Sequence, residues 1–145
     1  MKIEVSINEA YTEPKIVICT DKMTEEINAI IQKLSSHPPS IITGFRDEKA
    51  EILEPSQIIR IYSENGKVYA QTAEGTYRLR LCLYEIEERL DKTFVRISNS
   101  EIISLKKVKG FDLSFSGTIC VTLAGDIVTY VSRRYVRKIK QVLGI

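Results

Sequence analysis

The pattern of hydrophobic and polar positions in the first 40 residues differs from the pattern in the rest of the chain. Residues 2–7 and 15–19 alternate apolar with polar positions, which predicts two strands. Four apolar residues then recur at helical spacing: Ile27, Ile30, Ile31 and Leu34. Thr24 or Thr20 is placed to cap this helix, and Pro38–Pro39 cannot continue it. The pattern predicts a small α+β unit over residues 1–41.

From residue 40 onward the pattern changes to short alternating runs separated by turn residues. The strongest signal is a hairpin over residues 56–72, in which Asn65–Gly66 accepts the positive φ angles of a tight turn. Further strands are expected at 40–46, 50–53, 74–81, 93–98, 101–105 and 111–131, with turns at Ser116–Gly117 and Gly125–Asp126. Residues 42–145 are therefore expected to form a mainly antiparallel β body.

Two amphipathic helices complete this expectation. The first covers residues 83–90, with Leu83, Ile86 and Leu90 facing inward. The second begins after Ser132 and carries an apolar stripe of Tyr135, Ile139 and Val142, with Val136 and Leu143 beside it. Basic residues flank that stripe on both sides: Arg133, Arg137 and Lys140 on one, Arg134 and Lys138 on the other.

Charge is distributed unevenly along the 145 residues. Residues 1–55 carry six Lys/Arg and ten Asp/Glu, a net charge of −4, and residues 56–93 are neutral overall. Residues 94–145 carry nine Lys/Arg and three Asp/Glu, a net charge of +6. Such a basic segment indicates a polyanionic partner. On charge alone, a solvated basic face is the simpler interpretation.

Candidate catalytic chemistry is sparse. The one histidine, His37, lies in a Pro/Ser loop, and no phosphate-binding glycine motif or Cys-x-x-Cys pair is present. Cys19, Cys82 and Cys120 lie in apolar runs and are expected to be buried free thiols. We therefore predict no enzymatic activity, no metal site and no cofactor. Neither a signal peptide nor an apolar run of about 20 residues is recognisable, so we expect a cytoplasmic protein.

Two stretches of the basic segment resemble a known family. "FVRISNSEIISLKKVKGF" and "GTICVTLAGDIVTYVSRRYVRKIKQVL" are similar to the C-terminal half of the bacterial LytTR DNA-binding domains. The matching positions are Phe94, Arg96, Ser98–Asn99–Ser100 and Val131–Ser132–Arg133–Arg134–Tyr135. The hairpin and the short helix before them also fall in the family's order, so the resemblance covers about residues 42–145.

The resemblance implies an elongated domain of small antiparallel sheets whose loops enter successive major grooves of double-stranded DNA. The residues that it implies for DNA contact are Asn65, Lys67, Ser98, Asn99, Arg133 and Arg134, to which charge adds Lys106, Lys107, Arg137 and Lys138. Asn99 and Arg134 are expected to read bases, and Arg133 to contact phosphate. Ser98 and Ser104 stand where many members have His and Asn, which leaves the base preference open.

The N-terminal unit is too short to be the phosphoryl-receiver domain that many relatives carry. Its negative charge suits a homodimer contact or the docking of a signalling partner better than DNA contact. The leading interpretation is a transcriptional regulator. The alternatives are a module that binds an acidic protein through its basic C-terminal region, a peripheral membrane protein docked by the last helix, and, last, an enzyme.

Overall fold

A computed structural model describes residues 1–35 and 41–145. Its contacts divide the chain into two units, Met1–His37 and Pro38–Ile145. The predicted helix stop at Pro38–Pro39 and the His37 loop lie outside the described residues. Each unit is described separately.

The first unit contains helix α1, Glu25–Ser35. Its start is capped as predicted, because the hydroxyl oxygen of Thr24 accepts a hydrogen bond from the N–H of Ile27 at 3.3 Å. The predicted strands at 2–7 and 15–19 are not formed within this chain. Alternation marks a segment that is able to pair, but a strand also requires a neighbouring strand to complete its hydrogen bonds. Those two strand predictions are therefore wrong for the isolated chain.

The second unit is mainly β. Its strands are β1 (Ile42–Arg46), β2 (Lys49–Leu53), β3 (Ile58–Glu64), β4 (Lys67–Thr72), β5 (Gly75–Leu79), β6 (Phe94–Ser98), β7 (Glu101–Ser104), β8 (Val108–Asp112), β9 (Ile119–Leu123) and β10 (Ile127–Val131). Helix α2 covers Leu83–Arg89 and helix α3 covers Arg133–Leu143. One sheet has the order β2-β1-β5-β4-β3-β7-β6, the other β10-β9-β8, and the strand pairs are antiparallel. The predicted antiparallel β class is confirmed.

The predicted hairpin turn joins β3 to β4. Asn65 and Gly66 have φ angles of 52° and 74°, the two positive values that a tight two-residue hairpin turn requires. A similar turn at Asp47–Glu48, with φ of 52° and 62°, joins β1 to β2. The second turn was not predicted, because Asp-Glu carries a much weaker turn signal than Asn-Gly.

Two hydrophobic cores lie on opposite faces of the seven-stranded sheet. Neighbouring residues of β7 illustrate the division, since Ile102 packs into the core beneath α2 and Ile103 into the core shared with the three-stranded sheet and α3. On α2, Leu83 and Ile86 are buried as predicted. On α3, Ile139 is buried as predicted, whereas Val142 is exposed, so its predicted place on the inward stripe is wrong.

A polar contact joins the two sheets. One carboxylate oxygen of Glu101 on β7 accepts a hydrogen bond from the Thr129 hydroxyl on β10 at 2.7 Å. The other oxygen pairs with Arg60 on β3 at 3.3 Å, and Arg60 also donates to Gln71 at 2.7 Å. These groups are largely shielded from water, which strengthens the contacts and makes each partner costly to remove. The network fixes how β10, and therefore the start of α3, meets the larger sheet.

The cysteines differ from the prediction in one respect. They are free thiols, but Cys19 and Cys82 are exposed and Cys120 is half-buried. An apolar neighbourhood in sequence does not ensure burial at a segment end or on an outer sheet face. In the described part of the chain, no helix has both the length and the apolar character needed to cross a membrane.

Candidate nucleic-acid interface

Three predicted contact segments meet at one end of the seven-stranded sheet. Strands β3 and β6 both pair antiparallel with β7, so they run in the same direction and their following turns lie at the same end. The N–H of Ser63 donates to the carbonyl of Ser100 at 2.8 Å, which places the two turns side by side. We call this region the turn end and define it by residues 63–67, 98–100 and 132–135.

The start of α3 belongs to the same end. The N–H of Ser132 donates to the carbonyl of Ile97 at 2.9 Å, which joins the helix start to the C-terminal end of β6. The Tyr135 hydroxyl donates to Oδ1 of Asn99 at 3.1 Å. Arg133 and Arg134, in the first turn of α3, are therefore brought next to the Ser98–Ser100 turn.

Arg96 supports the same turn from within the sheet. Its guanidinium donates to the carbonyl of Ser98 at 2.8 Å and to the carbonyl of Asn99 at 2.5 Å, and pairs with Glu87 of α2 at 2.9 Å. The Arg96 side chain is 15% exposed, so these contacts lie in a partly desolvated position where they are strong. Arg96, which the resemblance matched without assigning a role, orients the turn.

The side chain of Asn99 is not used to close its own turn. That role belongs to Ser98, whose hydroxyl oxygen accepts the N–H of Ser100 at 3.2 Å. Asn99 is exposed, its Oδ1 faces Tyr135, and its NH₂ group makes no hydrogen bond within the described residues. An amide held in this way keeps a donor and an acceptor lone pair available for an external ligand.

The basic residues of α3 are uncompensated. Within residues 1–35 and 41–145, no carboxylate lies at ion-pair distance from Arg133, Arg134, Arg137 or Lys138. Asp126, an alternative partner for Arg134, instead pairs with Lys109 at 3.2 Å. A brace between Arg134 and Asp126 is therefore absent, and the Arg134 guanidinium is available for other contacts.

Lys106 and Lys107 lie elsewhere. They follow β7 at its opposite end, where the N–H of Leu105 donates to the carbonyl of Thr93 at 2.7 Å. We call this region the far end and define it by residues 91–93, 105–107 and 124–126. The pKa of Asp91 is lowered there, mainly by the hydrogen bond from the Thr93 hydroxyl, then by the Thr93 N–H and the charge of Lys106. The structure does not bring these two lysines together with Asn99 and Arg134.

Two further basic residues of the sheet adjoin the turn end and were not predicted from the sequence. Arg78 and Arg80 lie at the end of β5 and line one cleft together with Gly66 and Lys67 of the β3–β4 hairpin. The guanidinium of Arg80 stacks on the ring of Phe45, 4.0 Å from its centre. Alternation in "YRLRL" shows that both arginines share a face, but the pairing that places them beside Lys67 appears only in the fold.

Taken together, the fold is a mainly antiparallel β domain with basic, hydrogen-bonding turns gathered at one end. Residues 48–144 match the family model described as the LytTr DNA-binding domain. Two uncharacterized HTH-type transcriptional regulators of Staphylococcus aureus, from strains MSSA476 and NCTC 8325, are each 34% identical over 146 residues, which cover 100% of this chain and 99% of each relative. The chain belongs to the LytTR family.

A solved structure agrees with this assignment at the level of fold. It is described as a LytTr DNA-binding domain from Bacillus cereus and superposes with a TM-score of 0.71 at 21% identity. The match covers 74% of this chain and 100% of that one. The predicted family and fold class are confirmed.

Proposed function

We propose that this protein is a transcriptional regulator that binds specific double-stranded DNA sequences through the turn end. The observation that carries the proposal is the meeting of Asn99 with the unpaired basic start of α3. Both belong to a domain whose family is defined by DNA binding. The full-length similarity to transcriptional regulators supports the regulatory role.

The side chains at the turn end and on the adjoining part of α3 fall into two chemical groups. Asn99 and Arg134 can each make two parallel hydrogen bonds to a base edge in the major groove, Asn with adenine and Arg with guanine. Asn65 at the hairpin tip and Ser98 beside Asn99 would contribute polar contacts. Lys67, Arg133, Arg137 and Lys138 supply charge for phosphates, which gives affinity without sequence preference.

Lys106 and Lys107 lie at the far end, away from the proposed DNA contact. Strand β7 has four residues, so about 13 Å separate the far end from the turn end. A lysine side chain does not reach across that distance to a duplex held at the turn end. We therefore propose that these two lysines make no contact with the DNA segment read by Asn99 and Arg134.

The N-terminal unit is proposed to form a homodimer contact. Ile3, Val5 and Ile7 alternate with polar residues and are each at least 80% exposed, and Ile16 and Val17 are exposed as well. A second copy would supply the strand partner that this segment lacks among the described residues of its own chain. Two linked copies would bind paired DNA sites more tightly through effective concentration.

The proposal is tested by selecting bound sites from random duplexes and titrating the recovered site. If about six phosphates are contacted, the slope of log K against log salt should be about −5. An unrelated duplex should compete weakly, and an acidic polypeptide no better than that duplex. Failure to enrich any sequence, or equal competition by every polyanion, would contradict sequence-specific binding and favour the acidic-partner alternative.

The dimer contact has its own test. Removing residues 1–40 should leave binding to one site intact and weaken binding to a two-site duplex. Light scattering of the full chain should show a dimer at high concentration. A monomer at high concentration without cooperativity on two sites would contradict the dimer.

A further inference from the structure

We infer that Lys67, Arg78 and Arg80 form a second phosphate-binding surface, on the opposite side of the Asn65–Gly66 turn from Asn99. This surface, called the β5 ridge, extends the DNA contact beyond the residues that the family resemblance indicated. The inference rests on the proposed DNA-binding function, because its ligand is the backbone of the duplex held at the turn end.

Strand register places these cations close together. Val68 of β4 pairs with Leu79 of β5, and Lys67 and Arg80 are the residues that adjoin this last pair at the end of the ladder. Both line the same cleft. Like charges that line one cleft repel each other. A bound phosphate would relieve that repulsion.

Nothing in the described part of the chain neutralises the ridge. Glu64 is the register partner of Lys67 across the hairpin, yet the two charged groups are not within ion-pair distance. Arg80 is instead held by stacking on Phe45. A guanidinium fixed by stacking loses little conformational freedom when it binds phosphate, which favours contact.

The position of the ridge fits a continuous contact with DNA. From β5 to β6 the sheet order crosses β4, β3 and β7, four spacings of roughly 4.8 Å, or about 19 Å. That span is more than half of the roughly 34 Å turn of B-form DNA. The ridge would therefore meet phosphates some distance along the duplex from the bases facing Asn99.

The test compares a double variant, Arg78→Gln with Arg80→Gln, against the matched control Lys92→Gln at the far end, on the duplex recovered by selection. The double variant should reduce the salt slope by about 1.8, or 0.9 for each phosphate lost, and leave the ratio of cognate to random binding unchanged. Arg80→Lys should keep most of the slope, and Lys92→Gln should keep all of it. Melting temperatures of the free proteins identify any loss of folding.

If the wild type shows its steep slope and the folded double variant shows the same slope, the ridge does not contact DNA while the proposed function stands. If the wild type binds no duplex, the proposed function is wrong, and the inference about the β5 ridge is wrong as well. Ethylation interference adds an independent readout, since the double variant should lose sensitivity at phosphates on one flank of the site.

The hydrogen bond between Tyr135 and Asn99 carries a second, independent inference. We propose that Tyr135 is a positioning residue, which fixes the Asn99 amide in the orientation that adenine requires. Adenine offers a donor and an acceptor in the major groove, so both amide atoms of Asn99 must lie in one plane facing the base. The Tyr135 hydroxyl occupies one lone pair of Oδ1 and leaves the other for the base.

Tyr135→Phe removes this hydroxyl and keeps the ring that packs on the core beneath α3. The ratio of cognate to random binding should fall roughly two- to tenfold, the range of one neutral hydrogen bond, with the salt slope unchanged. Tyr84→Phe, an exposed tyrosine on α2, is the control and should preserve the ratio.

The variant Asn99→Ala shows whether a negative result concerns the positioning role of Tyr135 or the base reading by Asn99. If Asn99→Ala lowers the ratio and Tyr135→Phe does not, Tyr135 has no positioning role. If neither variant changes the ratio, the proposed base reading by Asn99 is wrong as well, and the positioning role is lost with it.

Discussion

The two ends of the seven-stranded sheet carry similar numbers of basic residues in different surroundings. At the far end, Lys106 lies near the ionised Asp91 and the neighbouring Lys109 pairs with Asp126. At the turn end, Arg133 and Arg134 have no carboxylate at ion-pair distance among the described residues, and they adjoin an oriented amide. Equal counts of Lys and Arg therefore do not make the two surfaces equivalent, because only the turn end combines its cations with an oriented amide.

The largest expected effect concerns packing, which should not distinguish the two ends. Ile97 under the Asn99 turn and Ile58 at the start of β3 are both fully buried. Each substitution by Ala should reduce the free energy of unfolding by about 2–5 kcal/mol, because it removes buried methyl groups and leaves a cavity. Urea denaturation measures this. A cost below about 1 kcal/mol at one position only would show that the ends differ in packing and not only in charge.

The next effect should appear at the turn end and concern base reading. Arg134→Ala should cost roughly 1–3 kcal/mol on the selected site and much less on random DNA. Titration of both duplexes measures the difference. If Arg134→Ala instead lowers the melting temperature and keeps the wild-type ratio of cognate to random binding, Arg134 is structural.

A smaller effect should separate phosphate contact by α3, beside the turn end, from the charge at the far end. Arg137→Ala should weaken cognate and random DNA alike and reduce the salt slope by about 1. Lys107→Ala removes the same charge from the far end and should leave the slope unchanged. A slope reduced equally by Lys107→Ala would place the far end on the DNA and overturn the distinction between the ends.

The smallest effect concerns the pKa of Asp91 at the far end. Thr93→Val removes the hydroxyl that contributes most to lowering this pKa, which should move toward its ordinary value. Since a lowered carboxyl pKa stabilises the fold above the unfolded-state pKa, that stabilisation is lost as the pH falls through the folded-state value. The stability gap between wild type and variant should therefore shrink on acidification. An NMR titration of Asp91 that is identical in both proteins would contradict this.

Much of the β body could be predicted from local signals. The Asn65–Gly66 hairpin, the inward face of α2 and the cap of α1 each depend on residues close in sequence. The strands expected at 2–7 and 15–19 failed because pairing depends on a partner that alternation does not reveal. Val142 was misassigned because α3 buries one narrow stripe centred on Ile139.

The residues of the candidate site could be predicted from the sequence, but their positions in the fold could be predicted only in part. The family resemblance identified Asn99 and Arg134, which the fold brings to the same end. Charge counting also selected Lys106 and Lys107, because a sum over sequence does not show at which end of a strand a residue lies. Arg78 and Arg80 were overlooked since their segment is neutral overall, and only strand register places them beside Lys67.

The most direct test of the central claim is amide hydrogen exchange of the full chain, free and bound to the selected duplex. We predict added protection at residues 63–67, 98–100 and 132–135, with residues 91–93, 105–107 and 124–126 unchanged. Protection confined to the far end, or spread equally over both ends, would contradict the claim that this protein reads DNA through the turn end.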